Sequence, residues 1–261
     1  MIKDLFIHRR YLFGSFWAEF RYRYSGTALG IFWFIVDPLL DALIYTVVFS
    51  QLLGFRSGGG NGIDYAIFLI AALFPWLTFS RIITQGSNSL NTGALYLRRL
   101  PIPPSIFIAK DTLVSLMSLM IYMVVLLPIN LILGHKMAWN LLLFIPLLSV
   151  LLALLGFGIT LILGHLRVIF PDVGEILPAL VNLWRWTLPI NYSLSILPDW
   201  LRTILQFNPP YLFIKSFRDI IVERTAPSLI TWVYMLAWVV FFYIIGSTVA
   251  RLLESDVKDR M

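Results

Sequence analysis

The chain has 261 residues, of which 59% are hydrophobic and only 13% charged, whereas a water-soluble domain carries about a quarter charged residues. That leaves too little polar surface to coat a globule, so a soluble enzyme or binding module is excluded and most of the chain must face lipid, in helices rather than a barrel because the apolar runs are continuous. The net charge of +6 fits cytoplasmic loops rather than nucleic-acid binding; with no cysteine, and histidines only at 8, 135 and 165, disulfides and thiolate metal sites are excluded and no zinc cluster is expected.

At the N-terminus, "MIKDLFIHRRYLFGSFWAEFRYRY" carries charges throughout, so no cleavable signal peptide is expected. Phe13, Phe16, Trp17 and Phe20 recur at helical spacing, flanked by Arg9, Arg10, Arg21 and Arg23. This pattern predicts a helix over residues 1–28 that lies flat at the membrane surface, rings in the lipid boundary and guanidinium groups toward phosphates.

A hydrocarbon core takes about 20 apolar residues per helix. Six segments of residues 29–261 qualify: 29–53, 64–84, 107–133, 140–164, 176–193 and 229–250. With the N-terminus inside, the inner segments hold Lys3, Arg9, Arg10, Arg21, Arg23, Arg98, Arg99, Arg167, Arg251, Lys258 and Arg260, while the two short outer loops hold Arg56 and Lys136. That asymmetry predicts both termini in the cytoplasm.

Asp37 and Asp41 stand at i and i+4 on one face of the first span. A carboxylate facing lipid costs about 2.5–3.5 kcal/mol, so both should face protein or water. They are read either as a polar lining with a basic partner such as Arg81 or Arg185, or as helix-to-helix hydrogen bonds. No histidine or metal site accompanies them, so catalysis by the pair is not expected. "GGGNG" at 58–62 is followed by Ile63 and Asp64, not by the Lys and Ser or Thr of a phosphate-binding loop. It reads as an outer loop, and the chain shows no nucleotide site.

Residues 88–104, "NSLNTGALYLRRLPIPP", form a basic, proline-ended island between two apolar runs. Either something binds this island or it is a solvated turn obeying the positive-inside rule; its length is more than a turn needs. Aromatics gather near span ends, among them Trp33, Trp76, Phe79, Trp184, Trp186 and Tyr192. Most suit an interfacial belt; a ring of aromatic faces along a path, on which sugar C–H patches stack, is the sharper reading. Trp184, Arg185 and Trp186 are consecutive and cannot all face lipid. The stretch 194–227 is apolar yet broken at Pro198, Pro209 and Pro210. It predicts two short helices dipping into the outer leaflet, with Asp199 as an N-cap.

The order of "RYSGTALGIFW" from Arg23, "FPWLTFS" from Phe74, "NTGALYLRRLP" from Asn91, "GHLRVIFPDV" from Gly164, "LPINYSLSILP" from Leu188 and "FNPPYLF" from Phe207 resembles the transmembrane subunit of type-2 ABC exporters of polysaccharide, the O-antigen, capsule and teichoic-acid export permeases. Asp37-Pro38 and Pro171-Asp172 depart from that family's usual residues. The resemblance implies an all-α integral membrane protein of six spans, with an N-terminal interface helix, a coupling loop at 85–105 and a re-entrant outer segment at 194–227. It implies no catalytic, metal or cofactor residue on this chain, ATP and Mg being bound by a separate ABC ATPase subunit. The other implied partners are a second copy of the chain, membrane lipids and a lipid-linked polysaccharide, in a bacterial inner membrane.

Under that resemblance Leu90, Leu95 and Tyr96 would fill a pocket on the ATPase, with Asn88, Ser89, Asn91, Arg98 and Arg99 at its rim. Trp33, Asp37, Asp41, Trp76, Phe79, Trp184, Arg185, Trp186 and Tyr192 would line the path. Arg21 and Arg23 would draw the lipid headgroup, and Leu197, Pro198 and Trp200 would form an outer gate. The competing readings are a type-2 ABC exporter of drugs or small lipids, a membrane-embedded glycan or acyl transferase, and a secondary transporter. The last would require an internal repeat, and the two halves show no clear one.

Overall fold

The computed structural model describes residues 2–22, 62–99, 102–132, 141–194 and 197–260, with a few single residues between 32 and 44. Among the described residues all regular structure is helical. Apart from those single residues, the predicted first span lies outside the described residues, as do Arg23, Asp37 and Asp41.

The N-terminal amphipathic segment is two helices, α1 (Ile2–Ile7) and α2 (Arg9–Tyr22), joined through a turn at His8 whose amide and carbonyl still bond to Asp4 and Leu12. Leu12 and Phe20 are buried while Phe6, Phe13 and Trp17 are exposed. That division gives α2 one face for the protein and an aromatic face for its surroundings. Phe20, grouped by sequence with the lipid-facing rings, belongs to the buried side, though it stacks on Trp17 at 5.8 Å.

Among the described residues four helices are long and apolar enough to cross a membrane. α3 (Gly62–Thr92) runs on past the predicted end of its span and carries the first residues of the island. Gly93 breaks it, and α4 (Ala94–Arg99) follows. α5 (Ser105–Ile132) starts directly after Pro103 and Pro104. α6 (Phe144–Ile169) extends through His165 and Arg167, so the predicted inner turn shrinks to Phe170 and Pro171. α10 (Leu229–Leu252), capped by the Ser228 hydroxyl accepting from the Thr231 amide, is followed by α11 (Glu254–Arg260).

The predicted fifth span differs. α7 (Asp172–Thr187) has 16 residues, a length of about 24 Å at 1.5 Å per residue, short of a core about 30 Å thick. The chain leaves the helix at Leu188 although Leu188 and Ile190 are buried. The segment after it forms the two expected short helices, α8 (Asp199–Leu205) and α9 (Pro209–Arg218), the latter running into a π-turn, Asp219–Glu223. Asp199 is not the cap: Pro198 occupies that position, and the Asp199 carboxylate pairs with Arg202 at 3.2 Å. α9 packs inside the bundle, with Phe213 and Phe217 completely buried.

α6 is the central post, packed against α3, α5 and α10. The crossings are close because small residues sit on them. A Cβ on Gly156 would lie 2.8 Å from Ile82 Cγ2, and one on Gly246 would lie 2.3 Å from the Gly158 carbonyl oxygen. The Thr160 hydroxyl donates across the α3–α6 crossing to the Ile82 carbonyl at 3.1 Å. Side chains of α3, α5, α6, α7, α9 and α10 make the main core. A second core joins Leu12, Leu90, Leu97, Ile106, Phe107, Phe157, Leu161, Ala250 and Val257, tying the N-terminal helix, the island and the C-terminal helix into one end of the molecule.

Candidate functional site

The island is built from the end of α3, Gly93 and α4. Along its polar run the hydroxyls are satisfied by bonding back along the helix: Thr84 to the Ser80 carbonyl at 2.8 Å, Ser87 to Thr84 at 2.9 Å, and Thr92 to Ser89 at 3.1 Å. Gly93 allows the chain to turn against Phe107, whose ring lies 2.6 Å from where a Cβ would stand. α4 then turns Leu97 inward and Leu95 and Tyr96 outward.

The predicted pocket-filling and rim residues therefore divide. Leu90 and Ser89 are buried in the chain's own packing, and the Ser89 hydroxyl donates to the Asp111 carboxylate. Leu95 and Tyr96 are 69% and 59% exposed, and Asn91, Arg98 and Arg99 are exposed with them, while Asn88 is half-buried. Leu90 and Leu97 root the segment, and the exposed pair stands on that root.

The root is also tied sideways. Lys110 on α5 reaches Glu19 on α2 at 3.3 Å and Asp111 at 3.2 Å. Glu19, Lys110, Asp111 and Ser89 thus form one polar chain across α2, α5 and α3. The sequence reading did not single out Glu19, Lys110 or Asp111. The available signal was the adjacent charged pair in "SIFIAKDTLVSL", placed in an otherwise apolar helix where charges need partners. Arg167 was likewise read only as a loop charge; it reaches the Ser87 hydroxyl at 3.3 Å and lies against Gly174. Arg260 of α11 closes the same end by donating to the Ile169 carbonyl at 3.0 Å.

Of the expected path residues, Trp76, Phe79 and Trp184 come together with centroids 5.6–6.2 Å apart. Trp76 and Phe79 are buried, and Trp184 turns inward to donate its indole N–H to Asn208 Oδ1 at 3.1 Å. In one chain this cluster is packed core, holding α7 and the start of α9 onto α3. Arg185 lines a cavity of about 200 Å3 with Trp76, Ser80, Thr84 and Asn182. Trp186 is exposed and Tyr192 half-exposed, its hydroxyl 3.5 Å from the Trp186 carbonyl. Trp33 is half-buried. Arg21 is exposed on α2. Of the expected gate residues, Pro198 and Trp200 are exposed and Leu197 is half-buried. No cluster of three or more potential metal ligands occurs among the described residues.

Three relatives and one family model bear on this architecture. The chain is 24% identical over 230 residues to the O-antigen export system permease protein RfbA of Myxococcus xanthus, covering 87% of this chain and 86% of that one. It is 24% identical over 207 residues to a protein of the same name from Klebsiella pneumoniae, covering 79% and 78%. It is 23% identical over 240 residues to the polysialic acid transport protein KpsM of Escherichia coli, covering 92% of each. The family model for ABC-2 type transporters matches residues 11–222, from α2 through the π-turn, and the chain belongs to that membrane-transporter family.

Proposed function

We propose that this chain is the bilayer-embedded half of an ATP-driven exporter that moves a lipid-linked polysaccharide across the bacterial cytoplasmic membrane. The observation that carries the reading is the near end-to-end similarity to permeases named for O-antigen and polysialic acid export. In this reading two copies pair around a conduit, both termini face the cytoplasm, and a separate ATPase supplies the energy. The ATPase grips Leu95 and Tyr96, and Leu90 and Leu97 beneath them transmit its motion to α3 and α5 as a rigid body. Arg21 with Arg23 meets the lipid phosphate at the inner leaflet, Arg185 and the cavity beside it contact sugar hydroxyls, and the Pro198–Trp200 segment shuts the outer end.

Deleting the gene tests the reading in cells. Lipid-linked polymer should accumulate on the cytoplasmic side; normal surface polymer after deletion would refute it. The docking step is tested separately by replacing Leu95 and Tyr96 with Asp. Both side chains are exposed, so the chain should still insert and fold, but the ATPase should no longer co-purify with it.

A further inference from the structure

Between α2, the end of α3, α4 and the start of α5 lies a cavity of about 710 Å3. Tyr11, Ser15 and Glu19 face it from α2, Asn88 and Tyr96 from the island, and Lys110 with Asp111 from α5. Among the described residues its charged lining is two carboxylates, Glu19 and Asp111, against one ammonium, Lys110, a formal balance of −1. The remaining lining side chains are neutral. The helices that frame it carry the opposite sign on their exposed surfaces: Arg9, Arg10 and Arg21 on α2, Arg98 and Arg99 on α4.

We propose that this cavity is a socket for one basic side chain of the ATPase subunit, set beside the island arginines Arg98 and Arg99, which meet acidic groups of that subunit. The proposal rests on the reading that the island docks on that subunit. Tyr96 belongs both to the exposed docking pair and to the cavity wall, so the socket is continuous with that surface. The excess negative charge repels a lipid phosphate and an acidic sugar alike. It suits a guanidinium or ammonium group, which donates to carboxylates at its edge and lies against tyrosine faces. Lys110 already engages both carboxylates, so the residual charge of −1 is balanced by a single cation. A two-signed footprint of this kind fixes the register of a complex more than its affinity.

Ser15 provides the test, because it lines the cavity without taking part in the Glu19–Lys110–Asp111 contacts. The full chain in lipid nanodiscs is titrated with the purified ATPase subunit. Ser15→Lys should weaken binding and Ser15→Glu should strengthen it, each by about two- to fivefold, the scale of one partly screened charge pair, and both effects should fade in 0.5 M salt, where the Debye length is about 4 Å. Equal binding by the two variants, or a shift in the same direction, overturns the proposal. If the Asp substitutions at Leu95 and Tyr96 leave binding intact, the docking reading itself fails. If they abolish binding while the two Ser15 variants behave alike, only the socket fails. The chain has no cysteine, so Ser15→Cys gives a single maleimide site. It should be protected by the ATPase; equal labelling with and without the subunit, or protection by soluble oligosaccharide instead, contradicts the socket.

Discussion

The guanidinium of Arg218 is buried inside the bundle and donates to the carbonyls of Pro189 at 2.8 Å, Ile190 at 2.9 Å and Phe68 at 3.3 Å, lying 3.6 Å above the Phe68 ring. It closes the irregular stretch after α7, where Pro189 has no amide to offer a ladder. A planar fork meets these oxygens together and a point-charge ammonium does not. Arg218→Lys should therefore lower the thermal midpoint in detergent, and Arg218→Leu should lower it more. Stranding buried carbonyls costs about 1–3 kcal/mol for each unsatisfied group, and an unchanged midpoint would remove this role. Gly246 works by closeness instead: the 2.3 Å from its missing Cβ to the Gly158 oxygen leaves α6 and α10 in backbone contact. Gly246→Leu should force them apart at a cost of about 1–3 kcal/mol. At Gly14, where nothing lies within 4 Å of an added Cβ, Ala should be neutral or stabilise by about 0.5–1 kcal/mol. Comparing the two melting curves checks both statements.

The elements show where the sequence was readable. Long apolar runs announced α3, α5, α6 and α10, because lipid tolerates few polar groups in any register. The island stood out because a mere turn needs far fewer residues. Its inner half was not visible as helix. "TQGSNS" from Thr84 looks like the end of a span, but α6 covers Ser87 and Gly86 there and the Ser87 hydroxyl finds a backbone acceptor, so the helix runs on. The end of α7 was misplaced for a related reason: Leu188–Ile190 is apolar enough to continue a span, and the group that holds it in another shape lies 28 residues away at Arg218. The tie between α2 and α5 was also hidden, since Glu19 and Lys110 are 91 residues apart. That tie makes a prediction for the element. Lys110→Glu places three acids together and should loosen α2, giving faster amide exchange over residues 9–22. The charge swap with Glu19→Lys should restore protection, and unchanged exchange in the Lys110→Glu single variant would show that packing at Leu12 and Phe107 alone holds the helix.

In the whole molecule, the mostly exposed α10 fits contact with lipid tails. α7 presents a second exposed apolar row, Ile176, Leu180 and Leu183, on the side away from α3. A short helix with such a row fits the seam between two copies better than a lipid-facing span. If two copies pair as proposed, Leu180→Arg should convert that dimer to monomer in detergent without loss of expression; a persistent dimer would move the seam elsewhere. The exporter account itself meets its most direct test in proteoliposomes containing this chain, the ATPase subunit and a lipid-linked polysaccharide. Polymer should become protected on the far side of the bilayer only when both subunits and hydrolysable ATP are present. Transfer by this chain without the ATPase, or ATP hydrolysis by the complex with no movement of polymer, would contradict it.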